Sequence, residues 1–90
     1  MPRVKFTSHL RRFFPDLVET EVEGETVAAV IAALDERFPG LAAYLVDEHG
    51  ALRQHVNIFV DQTLVRDRQR LQDPVVEADQ VFIFQALSGG

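Results

Sequence analysis

One segment limits what this chain can fold into. In "GETVAAVIAALDERFPG", residues 24–40, apolar side chains recur at helical spacing between a clear start and a clear stop. Val27, Val30, Ile31, Leu34 and Phe38 fall on one face, as a 3.6-residue repeat requires. Thr26 stands where a side-chain oxygen can accept from the free N–H groups of the first turn. Pro39 cannot continue the helix, and Gly40 tolerates the turn that follows. A single amphipathic helix must bury its apolar face on something, and the rest of the chain offers strands.

Arg3 to Thr7 alternate, with Val4 and Phe6 opposite Arg3, Lys5 and Thr7. After Leu10 to Phe14, Pro15 and Asp16 favour a turn. Alternation then resumes, with Val18, Thr20 and Val22 against Glu19, Glu21 and Glu23, so the two strands read as a hairpin with a short connection. In "LAAYLVDEHGALR", Leu41, Tyr44 and Leu45 suggest a short helical turn before Gly50. "QHVNIFVDQ" places Val56, Ile58 and Val60 opposite Asn57, Phe59 and Asp61. "TLVRDRQRLQDPVVEAD" reads as a short edge strand followed by loop, since Pro74 bars a central strand position. "QVFIFQ" is a last strand, apolar on both faces. This order predicts an α+β domain: a mixed sheet of four to five strands with one main helix packed across one face.

Ninety residues, 47% hydrophobic and 26% charged, suit one ordinary globular domain over 1–90, with residues 87–90 as a flexible C-terminal tail. A net charge of -5 weighs against nucleic acid and anionic membrane as partners. The absence of cysteine excludes disulfides, thiolate metal sites and thiol nucleophiles. "MPRVKFTSHLRR" lacks the apolar core of a signal peptide, so a cytoplasmic protein is expected.

If Val56, Ile58, Val60, Val81 and Ile83 face the helix, alternation turns Phe59, Phe82 and Phe84 to the other side of the sheet. Unless a loop covers that side, it forms an apolar patch of the kind that binds other proteins, or pairs two copies in a partner's absence. The remaining signals favour bland readings. Arg11, Arg12, Arg53, Arg66, Arg68 and Arg70 are scattered, and Glu19, Glu21 and Glu23 are the wet face of a strand. His9, His49 and His55 lack metal-ligand spacing, and Ser8 and Ser88 lack an orienting third group. No metal site and no independent catalysis are expected.

The chain closes "EADQVFIFQALSGG", a hydrophobic strand followed at once by Ser88-Gly89-Gly90. With "VKFTSHLRRFF", the helix segment and "VNIFVDQ", it resembles, over essentially its whole length, the β-grasp sulfur-carrier proteins of the ThiS/MoaD family, which are similar to ubiquitin in fold. "GALRQHVNIFVD" also looks like the longer members that deliver sulfur for cysteine synthesis. The sequence departs from the family's common pattern at Ala78, where a glycine is usual, and at Gln85-Ala86-Leu87, where prolines are frequent.

The resemblance implies a carrier acted on by enzymes. An E1-like adenylating enzyme would use ATP to activate the Gly90 carboxylate, which then becomes a thiocarboxylate and donates sulfur to a biosynthetic enzyme of a molybdopterin, thiazole, cysteine or related pathway. The carrier itself would bind no cofactor. A carboxylate must become a mixed anhydride before it can be attacked, in a site that excludes water. Gly89 and Gly90, lacking Cβ, allow close approach to a nucleotide. Leu87 and Ser88 would join Phe59, Phe82 and Phe84 in contacting the partner. The alternatives are a ubiquitin-like modifier joined to lysines through Gly90 and a plain β-grasp interaction module.

Overall fold

The computed structural model describes residues 1–85. Its strands are β1 (Arg3–Phe6), β2 (Thr20–Glu21), β3 (Val56–Val60), β4 (Thr63–Leu64) and β5 (Gln80–Gln85), and its helices α1 (Val27–Arg37) and α2 (Leu41–Leu45). The five strands form one mixed sheet in the order β2-β1-β5-β3-β4. The β1–β5 pair is parallel and the other pairs are antiparallel. This is the mixed sheet with one main helix that the pattern predicts, at the upper end of the expected strand number.

α1 covers one face of the sheet. Its residues Val27, Val30, Ile31 and Leu34 are buried together with Val4, Val56, Ile58, Val81 and Ile83. The helix start is well satisfied. Thr26 accepts from Ala29 N–H at 3.1 Å, while Val27 and Ala28 donate to the carbonyls of Asp73 and Leu71, leaving few of the first-turn donors unpaired. At the other end, Gly40 takes φ +98°, and the Asp35 carboxylate accepts from both Gly40 and Ala42. One aspartate thus ties the end of α1 to the start of α2.

The connection between β1 and β2 differs from the expected short turn. It runs from 7 to 19 and contains a 3₁₀ helix, Ser8–Arg12. The reason is burial: Leu10 and Leu17 are both fully enclosed. Doubling a loop's length costs about 0.6 kcal/mol in closure entropy, whereas burying a leucine contributes roughly 1.5–3 kcal/mol. Two anchored leucines therefore outweigh a tight hairpin. β2 is correspondingly short, and Val18, expected to face inward with Thr20 and Val22, is 57% exposed because Leu17 has taken the inward position before the strand begins.

The segment between β4 and β5 has no regular structure but is held by carboxylates. Asp73 accepts from Arg66 and Asp67 N–H, and Asp67 accepts from Arg70 and Gln72 N–H. Buried Val65, Leu71 and Val75 fasten it to the core.

Candidate functional site

The register of the sheet decides what its uncovered face presents. Lys5 lies beside Phe82, Phe82 opposite Phe59, and Phe59 opposite Leu64, so these four side chains form one row across β1, β5, β3 and β4. Asn57 and Phe84 form the next row. The Phe59 and Phe84 rings meet edge to face at 5.7 Å, and Phe82 stacks on Phe84 at 6.3 Å, separations at which aromatic pairs attract. Lys5 Nζ stands 5.5 Å from the Phe82 ring centre, a cation over a π face. Phe84 is 40% exposed, while Phe59 and Phe82 are half-buried.

Leu64, at 46% exposure, extends this patch to the sheet edge and is absent from the sequence reading. A signal for it did exist. Asp61 and Gln62 form a two-residue connection, with Asp61 at φ +54°, and a two-residue hairpin loop fixes the pairing of Val60 with Thr63 and hence of Phe59 with Leu64. The flank of the patch is ionic. Arg3 bonds Glu19 at 3.2 Å and Glu21 at 3.3 Å, and Lys5 lies 3.9 Å from Glu19. Such exposed pairs contribute roughly 0–1 kcal/mol each.

A second aromatic group stands on the helix side of the β5 end. Tyr44 of α2 packs against Phe13 at 5.0 Å and Phe14 at 5.8 Å, and its hydroxyl accepts from Gln85 Nε2 at 2.9 Å. Phe13 is 56% exposed. Leu87, Ser88, Gly89 and Gly90, singled out from the sequence, lie outside the described residues.

Among the described residues no group of three or more histidine or acidic side chains is arranged to hold a metal ion. His49 stands 3.7 Å from Glu48. The carboxylates held below their ordinary range are structural. Asp67 is lowered by the N–H of Arg70 and, to a smaller extent, by those of Gln72 and Gln69. Asp61 is lowered by Gln80 N–H and the Asp79 side chain. Asp47 is lowered by His49 and Ala51 N–H. None of them faces a nucleophile or an enclosed cavity. What this face offers is a partly exposed apolar patch with an ionic flank.

The ThiS family matches residues 4–90. The chain belongs to the ThiS family. Within it, the chain is 35% identical over 69 residues to the sulfur carrier protein CysO of Mycobacterium tuberculosis, covering 74% of each protein. Its fold superposes with a TM-score of 0.86 on a chain of the Amycolatopsis orientalis BexX/CysO complex, at 29% identity over the whole of both chains. The crystal structure of Mycobacterium tuberculosis CysO gives a TM-score of 0.83 at 28% identity, covering 97% of this chain and 100% of that one. Small archaeal modifier protein 1 from Haloferax volcanii shares the fold, with a TM-score of 0.75 at 23% identity over 98% and 97% of the two chains. This ThiS-family chain is a homologue of sulfur carriers, which are substrates and carriers rather than catalysts. No helix among the described residues is long and apolar enough to cross a membrane.

Proposed function

We propose that this chain carries sulfur as a thiocarboxylate on Gly90 and hands it to a biosynthetic enzyme. The observation that carries the reading is the match to the ThiS family over residues 4–90, which takes in the closing Gly89-Gly90. In this reading the terminal carboxylate attacks the α-phosphate of ATP on an adenylating enzyme of the ubiquitin-activating type, releasing pyrophosphate. A sulfide donor then displaces AMP, so the carbon–sulfur bond forms as the bond to the phosphate oxygen breaks. ATP belongs to the activating enzyme, and the carrier holds no cofactor of its own. The need for ATP and reduced sulfur puts the reaction in the cytoplasm.

Docking is assigned to Phe59, Phe82, Phe84 and Leu64, with Leu87 and Ser88 leading into the partner. Support comes from the geometry of the patch and from the neighbouring CysO, whose structure is that of a complex with BexX. A patch that is already packed side chain against side chain can be buried with little further loss of rotamer freedom.

The test is the intact mass of the protein after incubation with the adenylating enzyme from its own cells, ATP and sulfide, beside a sample lacking Gly89 and Gly90. Replacement of one oxygen by sulfur, mapped to the C-terminal peptide and absent from the truncated sample, is the expected result. A mass that stays unmodified overturns the reading, and adducts on lysines of other proteins would favour the modifier instead.

A further inference from the structure

The two flanks of the sheet face that carries the phenylalanines differ in charge. On the β1 side, Arg3 and Lys5 are matched by Glu19 and Glu21. On the β3 side, Arg53 and Arg68 have no carboxylate at ion-pair distance among the described residues. Acidic side chains outnumber basic ones by 14 to 9 in this chain, so the lack of a partner here is not a shortage of carboxylates.

Arg68 is held in place without being neutralised. Its Nη1 donates to Asn57 Oδ1 at 3.2 Å, and its Nη2 donates to the carbonyls of Arg53 and Val56 at 2.8 and 2.9 Å. Its backbone is tied as well, the carbonyl accepting from Leu52 N–H at 2.7 Å. Carbonyls fix the direction of a guanidinium but carry no net charge to cancel it. Arg68 is half-buried, so water offsets that charge less than at an open surface. Holding the β4–β5 segment against β3 accounts for Arg68 as a structural tie, but it does not account for Arg53. That residue is exposed, donates from Nε to the Ala43 carbonyl at 3.1 Å, and makes no bond through its Nη groups among the described residues.

Both arginines line a cleft of about 620 Å³ together with His55 and Asn57. One carboxylate, Asp47, also lines it, and that group accepts from His49 and Ala51 N–H. The cleft is continuous with the phenylalanine patch. Asn57 lies opposite Phe84 in the sheet, and Asn57 is the residue that accepts from Arg68. Protein interfaces join an apolar centre to a polar rim, and the charges of that rim steer approach. A cation whose orientation is fixed before binding loses little rotamer freedom when a carboxylate meets it.

We propose that the cleft of Arg53 and Arg68 receives aspartate or glutamate side chains of the protein that docks on the phenylalanine patch. The inference rests on the assignment of docking to that face and adds the chemistry of the partner's contacting segment. A carboxylate suits the cleft because the N–H donors of a guanidinium match its two oxygens. The unmatched arginines also give a chain of net charge -5 a local field that attracts an acidic surface.

The experiment measures binding of the wild-type chain, Arg53→Glu, Arg53→Lys and Arg66→Glu to the adenylating enzyme from the same cells, at about 0.05 M and about 1 M salt. Arg53→Lys loses the same bond to Ala43 but keeps the charge. Arg66→Glu changes the net charge by as much as Arg53→Glu does, in a separate groove beside Asp61 and Asp73. At low salt Arg53→Glu is expected to bind about tenfold more weakly, mainly through slower association, with Arg53→Lys and Arg66→Glu within about twofold of wild type. At about 1 M salt, where the screening length is about 3 Å, the gap should narrow to about twofold or less. Equal binding by Arg53→Glu and wild type overturns the inference and leaves the docking face standing. So does a loss shared by Arg53→Lys, which makes Arg53 a structural tie, or one shared by Arg66→Glu, which makes the effect one of net charge. Sedimentation of the carrier alone tests the other occupant: self-association at low salt that Arg53→Glu abolishes would give the cleft to a second copy and overturn the partner assignment. No binding by wild type at either salt overturns the docking reading, and this inference with it.

Discussion

Gly24 shows how a single residue can be right for a reason the sequence conceals. It reads as the punctuation that ends a strand before the helix. In the fold, a Cβ at Gly24 would stand 2.8 Å from both the backbone nitrogen and Cγ2 of Val30. Val30 is fully buried in α1, so neither atom can give way without moving the helix. Gly24→Ala is therefore expected to destabilise the protein by about 1–3 kcal/mol, the usual range for overpacking. It should appear as a lower urea midpoint with an unchanged slope. A variant as stable as wild type would mean that the start of α1 shifts freely.

At the scale of elements, the segment between β4 and β5 is the least regular part of the chain and among the most closely tied. Its carbonyls at Leu71 and Asp73 complete the start of α1, and its own turns hang on the Asp67 and Asp73 carboxylates. Asp67 titrates below the ordinary 3.8 because it accepts from backbone N–H groups, foremost that of Arg70. A carboxylate with a lowered folded pKa contributes stability that is complete above the unfolded value and is lost as pH falls through the folded one. Asp47 and Asp61 are shifted in the same direction. Urea midpoints should therefore stay level from neutral pH to about 5 and fall below about 4. Asp67→Asn should lower the midpoint at neutral pH and flatten the acid branch. An acid branch as steep as wild type's would show that Asp67 takes no part in it.

For the molecule as a whole, the consequence of packing both helices on one side of a five-stranded sheet is that, among the described residues, no element covers the other face. α1 and α2 lie on the side of Val81 and Ile83, and the opposite side carries Phe59, Phe82, Phe84 and Leu64. Phe84→Ala should separate the two roles an aromatic residue can have. If the proposed docking face is right, binding to the proposed activating enzyme is expected to weaken about tenfold or more, as for the truncation of a central interface anchor. Stability should fall by less than the roughly 2–5 kcal/mol of a core leucine truncation, because Phe84 is already 40% exposed. Calorimetric titration with carriers lacking Gly89 and Gly90 would read docking without chemistry. Equal affinity for the two forms would remove the sheet face from the interface.

The sequence alone determined what depends on neighbours along the chain. The period of Val27, Val30, Ile31 and Leu34, the Thr26 cap, the stop at Pro39 and the alternation of β3 and β5 all follow from spacing and backbone chemistry, and so does the side to which the three phenylalanines turn. The closing Ser88-Gly89-Gly90, with the helix and strand order, was enough for the family. Tertiary structure decided what depends on which distant segments meet. Burial of Leu10 and Leu17 replaced an expected short turn with a 3₁₀ helix and a long connection. The register against β3 brought Leu64 into the patch. The bond from Gln85 to Tyr44 spans 41 residues of chain, and no local pattern specifies a contact whose partners are brought together only by the packing of α2 against the sheet.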